Sequence, residues 1–223
     1  SFYPAHHMTM GEGGAVFMND PLLKLIAESF RDWGRDCYCA PGKDDTCGNR
    51  FGQQFGGLPD GYDHKYVYSH LGYNLKITDM QAACGLAQLD SLESFIAKRR
   101  DNFEYFSQRL ATLSDYIELA MPTPKSNPSW FGFPITIRES AGIKRVDLTK
   151  YLDQFKIGSR LLFAGNLINQ PYFKDIEYRI SGTLKNTDRT MNDTFWLGVQ
   201  PTVNKEHYDY IASKLEEFFG IGF

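Results

Sequence analysis

The stretch SFYPAHHMTMGEGG, residues 1–14, contains the features that decide the fold of this chain. Two adjacent histidines, His6 and His7, stand before three glycines that predict tight turns, Gly11, Gly13 and Gly14. Taken alone, a histidine pair in such a loop is compatible with a general base, a metal ligand or an ordinary surface position. The other segments of the sequence are needed to choose among these.

A second informative stretch is GYNLKITDMQAA, residues 72–83. Thr78 and Gln81 fit a capping box, in which the threonine hydroxyl binds one backbone donor and the glutamine side chain reaches back to another. This pattern predicts the start of a helix of about 30 residues that runs toward Leu113.

The remaining periodicity predicts further elements around these two stretches. After a loop over 1–14, we expect a short strand at 15–18 and a helix capped by Asn19 or Asp20, with Pro21 in its first turn, ending near Trp33. Beyond the prolines at 122 and 124 we expect a small α+β domain: a strand at 130–137, a helix at 146–155, a strand at 159–163 and a C-terminal helix.

Composition excludes several classes of protein. The chain has 223 residues, 42% of them hydrophobic, and a net charge of −3. These values predict one large or two small globular domains and argue against a basic nucleic-acid binder. Because the sequence shows neither a membrane-length apolar run nor a signal peptide, we expect a cytoplasmic protein without membrane or nucleic-acid partners.

Three clustered cysteines lie in a glycine-rich segment, 31–71, that lacks an apolar period. Cys37, Cys39 and Cys47 are spaced less suitably for a zinc knuckle than for an iron–sulfur cluster, which needs a fourth thiolate from elsewhere. A metal centre would order this otherwise structureless run, while unrelated surface cysteines are the alternative. We expect the fourth cysteine, Cys84, to be a small buried side chain within the long helix.

Residues 1–14 and 72–83 together resemble the DegT/DnrJ/EryC/StrS family of sugar aminotransferases and dehydrases. In these vitamin B6 enzymes, a serine is followed five residues later by the Schiff-base lysine and then by a Thr-x-Gly-Glu-Gly-Gly turn. Ser1 and the segment Thr9–Gly14 match this pattern, while His6 replaces the lysine. The family's Gly-Tyr-Asn-x-x-x-Thr-Asp-x-Gln-Ala-Ala motif matches 72–83.

The resemblance implies an α/β fold: the C-terminal part of an aspartate-aminotransferase-like, fold type I enzyme. Residues 1–98 would be the remainder of the large cofactor-binding domain, with 31–71 as a cysteine-bearing insert. Residues 99–223 would be a linking helix and the small domain. Three further site residues precede this region in the resembled enzymes. They are the aspartate that pairs with the pyridine nitrogen, the aromatic residue that stacks on the ring and, in the iron–sulfur branch, the fourth cysteine that binds the cluster. We therefore expect the sequence to be the C-terminal half of the enzyme.

The resemblance also implies roles for individual residues. An imidazole cannot form the covalent link to the cofactor, so His6 would act as acid and base beside non-covalently bound pyridoxamine 5′-phosphate, and His7 would face away. Ser1 would bind the cofactor phosphate, and Asn74 that of the neighbouring subunit in a homodimer. Arg160 would contact the substrate phosphates, with an ordinary ion pair as the alternative.

With the cysteines included, the sequence resembles the iron–sulfur 3-dehydrase branch of the family, and Cys37, Cys39 and Cys47 would ligate a [2Fe–2S] cluster. The implied reaction removes the 3-hydroxyl of a CDP-4-keto-6-deoxyhexose on the route to 3,6-dideoxyhexoses of lipopolysaccharide O-antigen. Electrons would come from a flavin and iron–sulfur NADH-dependent reductase. The alternatives are a cluster-free dehydratase or aminotransferase that uses pyridoxal phosphate, and a non-catalytic zinc-knuckle interaction module.

Overall fold

A computed structural model describes residues 1–40 and 42–221, which fall into two compact units. Unit 1 comprises Ser1–Pro4 and Met8–Ala87. Unit 2 comprises Ala5–His7 and the chain from Gln88 onwards. The assignment of these regions to a large cofactor-binding domain and a small domain stays a prediction.

Unit 1 contains helix α1, Pro21–Arg31, and the start of helix α2, Asp79–Arg109. The carboxylate of Asp20 caps α1 by accepting hydrogen bonds from the backbone nitrogens of Leu22 at 2.8 Å and Leu23 at 3.4 Å. At the start of α2, the Thr78 nitrogen donates to Gln81 Oε1 at 2.9 Å, and the Gln81 nitrogen donates to Thr78 Oγ1 at 3.2 Å. Both predicted helix starts, including the capping box, are therefore confirmed.

The expected strand at 15–18 is wrong, because the structure gives these residues no strand geometry. Val16 is 83% exposed and Phe17 is 90% exposed. A strand is stabilised by pairing with a neighbour, and no described strand of unit 1 pairs with this segment. Local apolar content alone does not create a strand here.

The cysteine-bearing insert, residues 31–71, is closed at its base by a close backbone crossing. The Trp33 nitrogen donates to the Tyr73 carbonyl at 2.8 Å, and the Ser69 nitrogen donates to the Gly34 carbonyl at 2.9 Å. A Cβ on Gly72 would collide with the backbone of Gly34. Only glycine permits this approach, so the crossing explains the glycines at positions 34 and 72, near the two ends of the insert.

Buried and charged side chains hold the interior of the insert. The guanidinium of Arg50 binds the carboxylate of Asp63 through two hydrogen bonds, at 2.9 and 2.7 Å. His64 is 5% exposed, and its Nε2 lies 2.6 Å from Asp36 Oδ2. These contacts order a segment that the sequence analysis expected a metal centre to order.

Unit 2 is built on a four-stranded antiparallel sheet in the order β1–β2–β4–β3. The strands are β1, Ile117–Leu119; β2, Gly132–Ile137; β3, Ser159–Leu161; and β4, Thr194–Gly198. The helices that follow α2 are α3, Arg145–Gln154; α4, Lys185–Asp193; and α5, Lys205–Phe219. Short 3₁₀ turns lie at His64–Tyr66, Ala111–Leu113, Glu139–Ala141, Leu167–Asn169 and Pro171–Asp175.

The inner face of this sheet forms the core of unit 2. Phe133 and Ile135 of β2 and Phe195 of β4 are fully buried against residues of α2, α3 and α5, which include Phe106, Leu148, Leu152, Tyr208, Ala212 and Leu215. The alternating burial of β2 is the pattern expected of a strand covered by helices on one side. The predicted α+β domain is confirmed, and β1, α4 and β4 are additions to it.

None of the helices in the described residues combines the length and the apolarity that a bilayer span requires.

The backbone crossing gives a first prediction. Gly72→Ala should lower the free energy of unfolding by about 1–3 kcal/mol, because the added methyl group cannot fit beside Gly34 without backbone movement. Gly57→Ala, at an exposed glycine of the same insert with open space around its Cβ position, should stay within about 0.5 kcal/mol. Urea titrations monitored by circular dichroism measure both values. Equal stabilities of the two variants would contradict the crossing.

The Arg50–Asp63 pair predicts how the insert responds to acid. The hydrogen bonds from Arg50 lower the pKa of the Asp63 carboxyl from 3.8 to about 2. The stabilisation by this pair is therefore complete above the ordinary pKa and is lost as the pH falls toward 2. Asp63→Asn should remove that part of the acid transition. The control variant Asp60→Asn, at an exposed position nearby in the sequence, should leave the transition unchanged. Thermal unfolding between about pH 5 and pH 2 compares the two variants with the unchanged chain.

Candidate functional site

Ser1 and the glycine turn lie together in unit 1. The Ser1 hydroxyl is exposed and accepts a hydrogen bond from the Tyr3 nitrogen at 3.4 Å. The Phe2 nitrogen donates to the Gly13 carbonyl at 2.9 Å, and the Gly11 nitrogen donates to Thr9 Oγ1 at 3.1 Å. The turn that the sequence predicted is thus present, and it ties the first residues to the glycines.

Asn74 lines an open groove of about 1060 Å³ in unit 1. Three cations, Lys24, Arg31 and Lys76, line the same groove. Arg31 and Lys76 each lie near Asp32, at 3.4 and 3.3 Å. Lys24 pairs with Glu28 at 3.6 Å, so a carboxylate offsets each of the three cations, and Glu28 lines the groove as well. The amide of Asn74 and the hydroxyl of Ser1 still carry donors of the kind that a cofactor phosphate accepts from.

His6 and His7 lie in unit 2 and have different neighbours. The His6 ring packs edge-on against Phe131, with ring centroids 5.2 Å apart and an interplanar angle of 65°. His7 Nε2 lies 2.5 Å from the Ser129 hydroxyl. The two adjacent imidazoles are therefore oriented separately by residues of one segment, 129–131.

Two consecutive arginines of α2 position that segment. Arg99 is 5% exposed, and its guanidinium donates to the carbonyls of Trp130, at 3.4 Å, and Val199. Arg100 donates to the carbonyls of Asn127 and Pro128, at 2.9 and 3.2 Å. Sequence reasoning missed this pair, although a charged residue within the apolar stripe of a long helix is a detectable signal.

The same arginine influences the titration of His7. Partial burial lowers the pKa of His7 below 6.5, and the positive charges of Arg99 and His6 lower it further. His7 is therefore held in its neutral form near pH 7. In that form its Nε2 forms a hydrogen bond with the Ser129 hydroxyl.

Arg160 lies on the edge strand β3 with an exposed side chain. Its guanidinium donates to the carbonyl of Ser159 at 2.8 Å. The ion pair considered as an alternative role is not formed by any carboxylate within residues 1–40 and 42–221. The side chain is accessible for an anionic ligand, and its role stays a prediction.

Cys37, Cys39 and Cys47 line one small recess of the insert together with Arg50, Lys65 and other polar residues. The Cys39 sulfur lies 3.0 Å from the Thr46 hydroxyl, a contact that lowers the pKa of the Cys39 thiol. Burial raises the pKa of the Cys37 thiol. The three thiols are thus brought to one place, beside two cations that are each paired with a carboxylate.

The donor set of this recess fits iron–sulfur chemistry, but its arrangement does not form a metal site. Three thiols are the ligands that an iron–sulfur cluster uses. In the described part of the chain, however, no three ligating side chains are arranged so that they could hold a metal ion. The identity of the residues therefore supports a cluster, and the positions shown do not reproduce one.

Cys84 is exposed, so the expectation that it is buried is wrong. It lies on α2, as expected, but in the first half of the helix, where Met80 is 78% and Leu86 is 68% exposed. The helix was therefore predicted correctly, and the burial of this face was not.

Comparison with known proteins gives the family and the fold. Residues 1–216 match the model of the DegT/DnrJ/EryC1/StrS aminotransferase family. The lipopolysaccharide biosynthesis protein RfbH of Salmonella typhimurium is 66% identical over 223 residues, which cover 100% of this chain and 51% of that protein. The dTDP-4-dehydro-2,6-dideoxy-D-glucose 3-dehydratase of Saccharopolyspora spinosa is 49% identical over 218 residues, or 98% of this chain and 47% of that enzyme.

Among solved structures, the E. coli GDP-4-keto-6-deoxy-D-mannose-3-dehydratase with bound hydrated PLP is similar at a TM-score of 0.77 and 26% identity. The match covers 95% of this chain and 52% of that one. The chain thus spans about half the length of the relatives that it matches. It belongs to the DegT/DnrJ/EryC1/StrS aminotransferase family and has the α/β fold of that family's vitamin B6-dependent members.

Proposed function

We propose that this chain is part of a nucleotide-sugar 3-dehydratase that removes the 3-hydroxyl of a CDP-4-keto-6-deoxyhexose. The observation that carries the proposal is His6, an imidazole where the family resemblance requires a lysine, packed against Phe131. A side chain without a primary amine cannot hold the cofactor covalently, but it can accept and return a proton near neutral pH. This combination favours dehydration over amino transfer.

Two relatives support a reaction at the third carbon of a nucleotide sugar. Two of the curated proteins similar to this chain are named as 3-dehydratases, one acting on a dTDP-sugar and one on a GDP-sugar. A third, 66% identical, is a lipopolysaccharide biosynthesis protein. A cytoplasmic enzyme on the route to 3,6-dideoxyhexoses of the O-antigen is consistent with the name of that third relative.

The residues present fit the proposed cofactor, pyridoxamine 5′-phosphate. When bound, this group supplies the electron sink that allows a sugar hydroxyl to leave. Ser1 and Asn74 offer the hydroxyl and amide donors for its phosphate, with Asn74 serving the second subunit of a homodimer. An imidazole nitrogen of His6 holds and returns the transferred proton, while Phe131 fixes the plane of the ring.

The proposal assigns the cysteine recess to electron transfer. Cys37, Cys39 and Cys47 would hold a [2Fe–2S] cluster together with a fourth thiolate from outside the insert. Arg50 and Lys65 lie beside the thiols, each paired with a carboxylate of the insert, Asp63 and Asp44. A flavin and iron–sulfur NADH-dependent reductase is the proposed electron donor.

A cluster-free 3-dehydratase is the second candidate. The observation that favours it is the absence of a ready metal-holding arrangement of side chains in the described residues. Because both candidates use His6 in the same way, only the thiols distinguish them.

The role of His6 predicts a large loss of activity. His6→Asn keeps the approximate shape of the ring but cannot take up a proton near neutral pH, so dehydration in the holoenzyme should slow by about 10²- to 10⁴-fold. Steady-state turnover and the amount of retained cofactor, which should stay unchanged, are the two measurements.

His7→Asn is the matched control, because it changes the adjacent imidazole, which contacts Ser129. Turnover should fall much less in this variant than in His6→Asn. If His7→Asn abolished the reaction while His6→Asn did not, the assignment of the base to position 6 would be wrong.

Iron content decides between the two candidate enzymes. Cys39→Ser should remove most of the iron from anaerobically purified protein and bleach its visible absorption, because one of the three thiol ligands is lost. Cys84→Ser, at an exposed position on α2, should keep the iron. Full iron content and full turnover in Cys39→Ser would exclude the cluster at this recess and favour the cluster-free enzyme.

A further inference from the structure

Two chain segments of the insert, 36–39 and 44–50, carry the three cysteines of the recess. Both segments are bound by one short run of consecutive residues, here called the clamp: Asp63, His64 and Lys65. The carboxylate of Asp63 also caps the 3₁₀ turn that begins at His64, because it accepts a hydrogen bond from the Lys65 nitrogen at 3.1 Å. The clamp is therefore an ordered turn to which both cysteine segments are attached.

The first cysteine segment is attached through Asp36, the residue immediately before Cys37. The Asp36 carboxylate accepts hydrogen bonds from His64 Nε2 at 2.6 Å and from the Ser69 hydroxyl at 2.8 Å. Its backbone nitrogen donates to the Val67 carbonyl at 3.0 Å. Since only one peptide bond separates Asp36 from Cys37, these bonds fix the point from which the thiol-bearing segment starts.

The second cysteine segment is attached at both of its ends. At one end, Lys65 pairs with Asp44. At the other end, the guanidinium of Arg50 binds the Asp63 carboxylate at 2.9 and 2.7 Å, and the Arg50 carbonyl accepts a hydrogen bond from the backbone nitrogen of His64 at 2.9 Å. The third cysteine lies between these two anchors, so its position also depends on the clamp.

His64 is the central residue of the clamp, because its side chain and its backbone bind different segments. It is 5% exposed, and its ring stacks on Phe55 with centroids 5.2 Å apart. The Gln53 amide nitrogen donates to the Asn49 carbonyl at 3.3 Å, which orients this amide so that it also donates to His64 Nδ1 at 3.1 Å. Nε2 therefore carries the proton of the hydrogen bond to Asp36. With both nitrogens engaged, the imidazole is suited to positioning thiols and not to ligating a metal ion.

The two cysteine segments meet inside the recess that His64 lines. The Cys39 sulfur lies 3.0 Å from the Thr46 hydroxyl, and Thr46 immediately precedes Cys47, so the segments touch where their thiols are carried. Hydrogen bonds that hold ligating side chains from behind reduce the ordering that a bound group must impose. The clamp supplies such bonds to both segments.

We propose that His64 is the positioning residue of the cysteine recess, and that it keeps the two cysteine segments side by side so that one thiol-binding group takes up thiols from both. The inference rests on the proposed function only for the identity of that group, a [2Fe–2S] cluster. Replacing the imidazole releases the first segment, while the second stays attached through Asp63 and Lys65. The separation of the thiols is thus measurable with a different thiol-binding probe.

Phenylarsine oxide is such a probe, because it forms arsenic–sulfur bonds to two nearby thiols at once, with loss of water. In the chelator-treated full-length enzyme carrying Cys37→Ser, the remaining thiols of the recess, Cys39 and Cys47, lie on different segments. His64→Phe keeps an aromatic ring but removes the hydrogen bond to Asp36. In this background it should weaken probe binding by about 10- to 100-fold, because one thiol is no longer held near the other.

Further variants in the same background separate positioning from loss of stability. Asp36→Ala removes the other partner of the hydrogen bond, so its combination with His64→Phe should lose no more affinity than Asp36→Ala alone. His64→Gln keeps a donor near the Nε2 position and should recover most of the affinity. Gly72→Ala strains the base of the insert without touching the clamp, and it should bind the probe as its parent does.

The outcomes distinguish this inference from the proposed function. Undiminished probe affinity in both His64→Phe and Asp36→Ala overturns the clamp, whether or not the enzyme contains iron. The same follows if Gly72→Ala loses as much affinity, or if further removal of Cys47 leaves the affinity unchanged. Tight probe binding that depends on His64, in an enzyme that contains no iron after anaerobic purification, leaves the clamp established and overturns the proposed cluster.

Discussion

The buried guanidinium of Arg99 is the interaction on which the histidine site depends. It lies inside unit 2 at 5% exposure and binds the carbonyls of Trp130 and Val199, which border β2 and β4. Burial lowers the pKa of Arg99, a measure of the cost of removing its charge from water. Hydrogen bonds to a charged donor, each worth about 1.5–3 kcal/mol, offset that cost.

The side chain of Asn102 repeats this arrangement close by on the same helix. It is 2% exposed and donates to the carbonyls of Gln200 and Val203, both at 3.0 Å. The Val199 nitrogen in turn donates to the Phe131 carbonyl at 2.9 Å. Polar residues of α2 therefore fix the chain ends of the two central strands, and these ends place Phe131 and Ser129 beside the histidines.

The parts of the structure that the sequence predicted well are those determined locally. Asp20 and the pair Thr78 and Gln81 cap helices through contacts over two or three residues, so their geometry follows from the pattern. The segment at 15–18 has an equally clear apolar pattern, but a strand depends on a distant partner. Helix α4 was missed because its sequence, KNTDRTMND, contains almost no apolar residues to mark a period.

The same distinction holds for the candidate site. His6, Ser1 and the cysteines could be singled out from spacing and resemblance, because their signal lies in the sequence itself. Arg99 and Phe131 could not, because each becomes informative only through contacts across 30 residues or more, as between Arg99 and Trp130 or between Phe131 and His6. Tertiary structure brings these side chains together.

The neutral state of His7 follows from the same packing that positions segment 129–131. Burial is the first cause of the lowered pKa of His7, followed by the charge of Arg99, because like charges disfavour one another's charged forms. The arginine that holds this segment therefore also contributes to keeping His7 uncharged. One buried side chain thereby helps to fix both the place of segment 129–131 and the charge of the imidazole next to the proposed base.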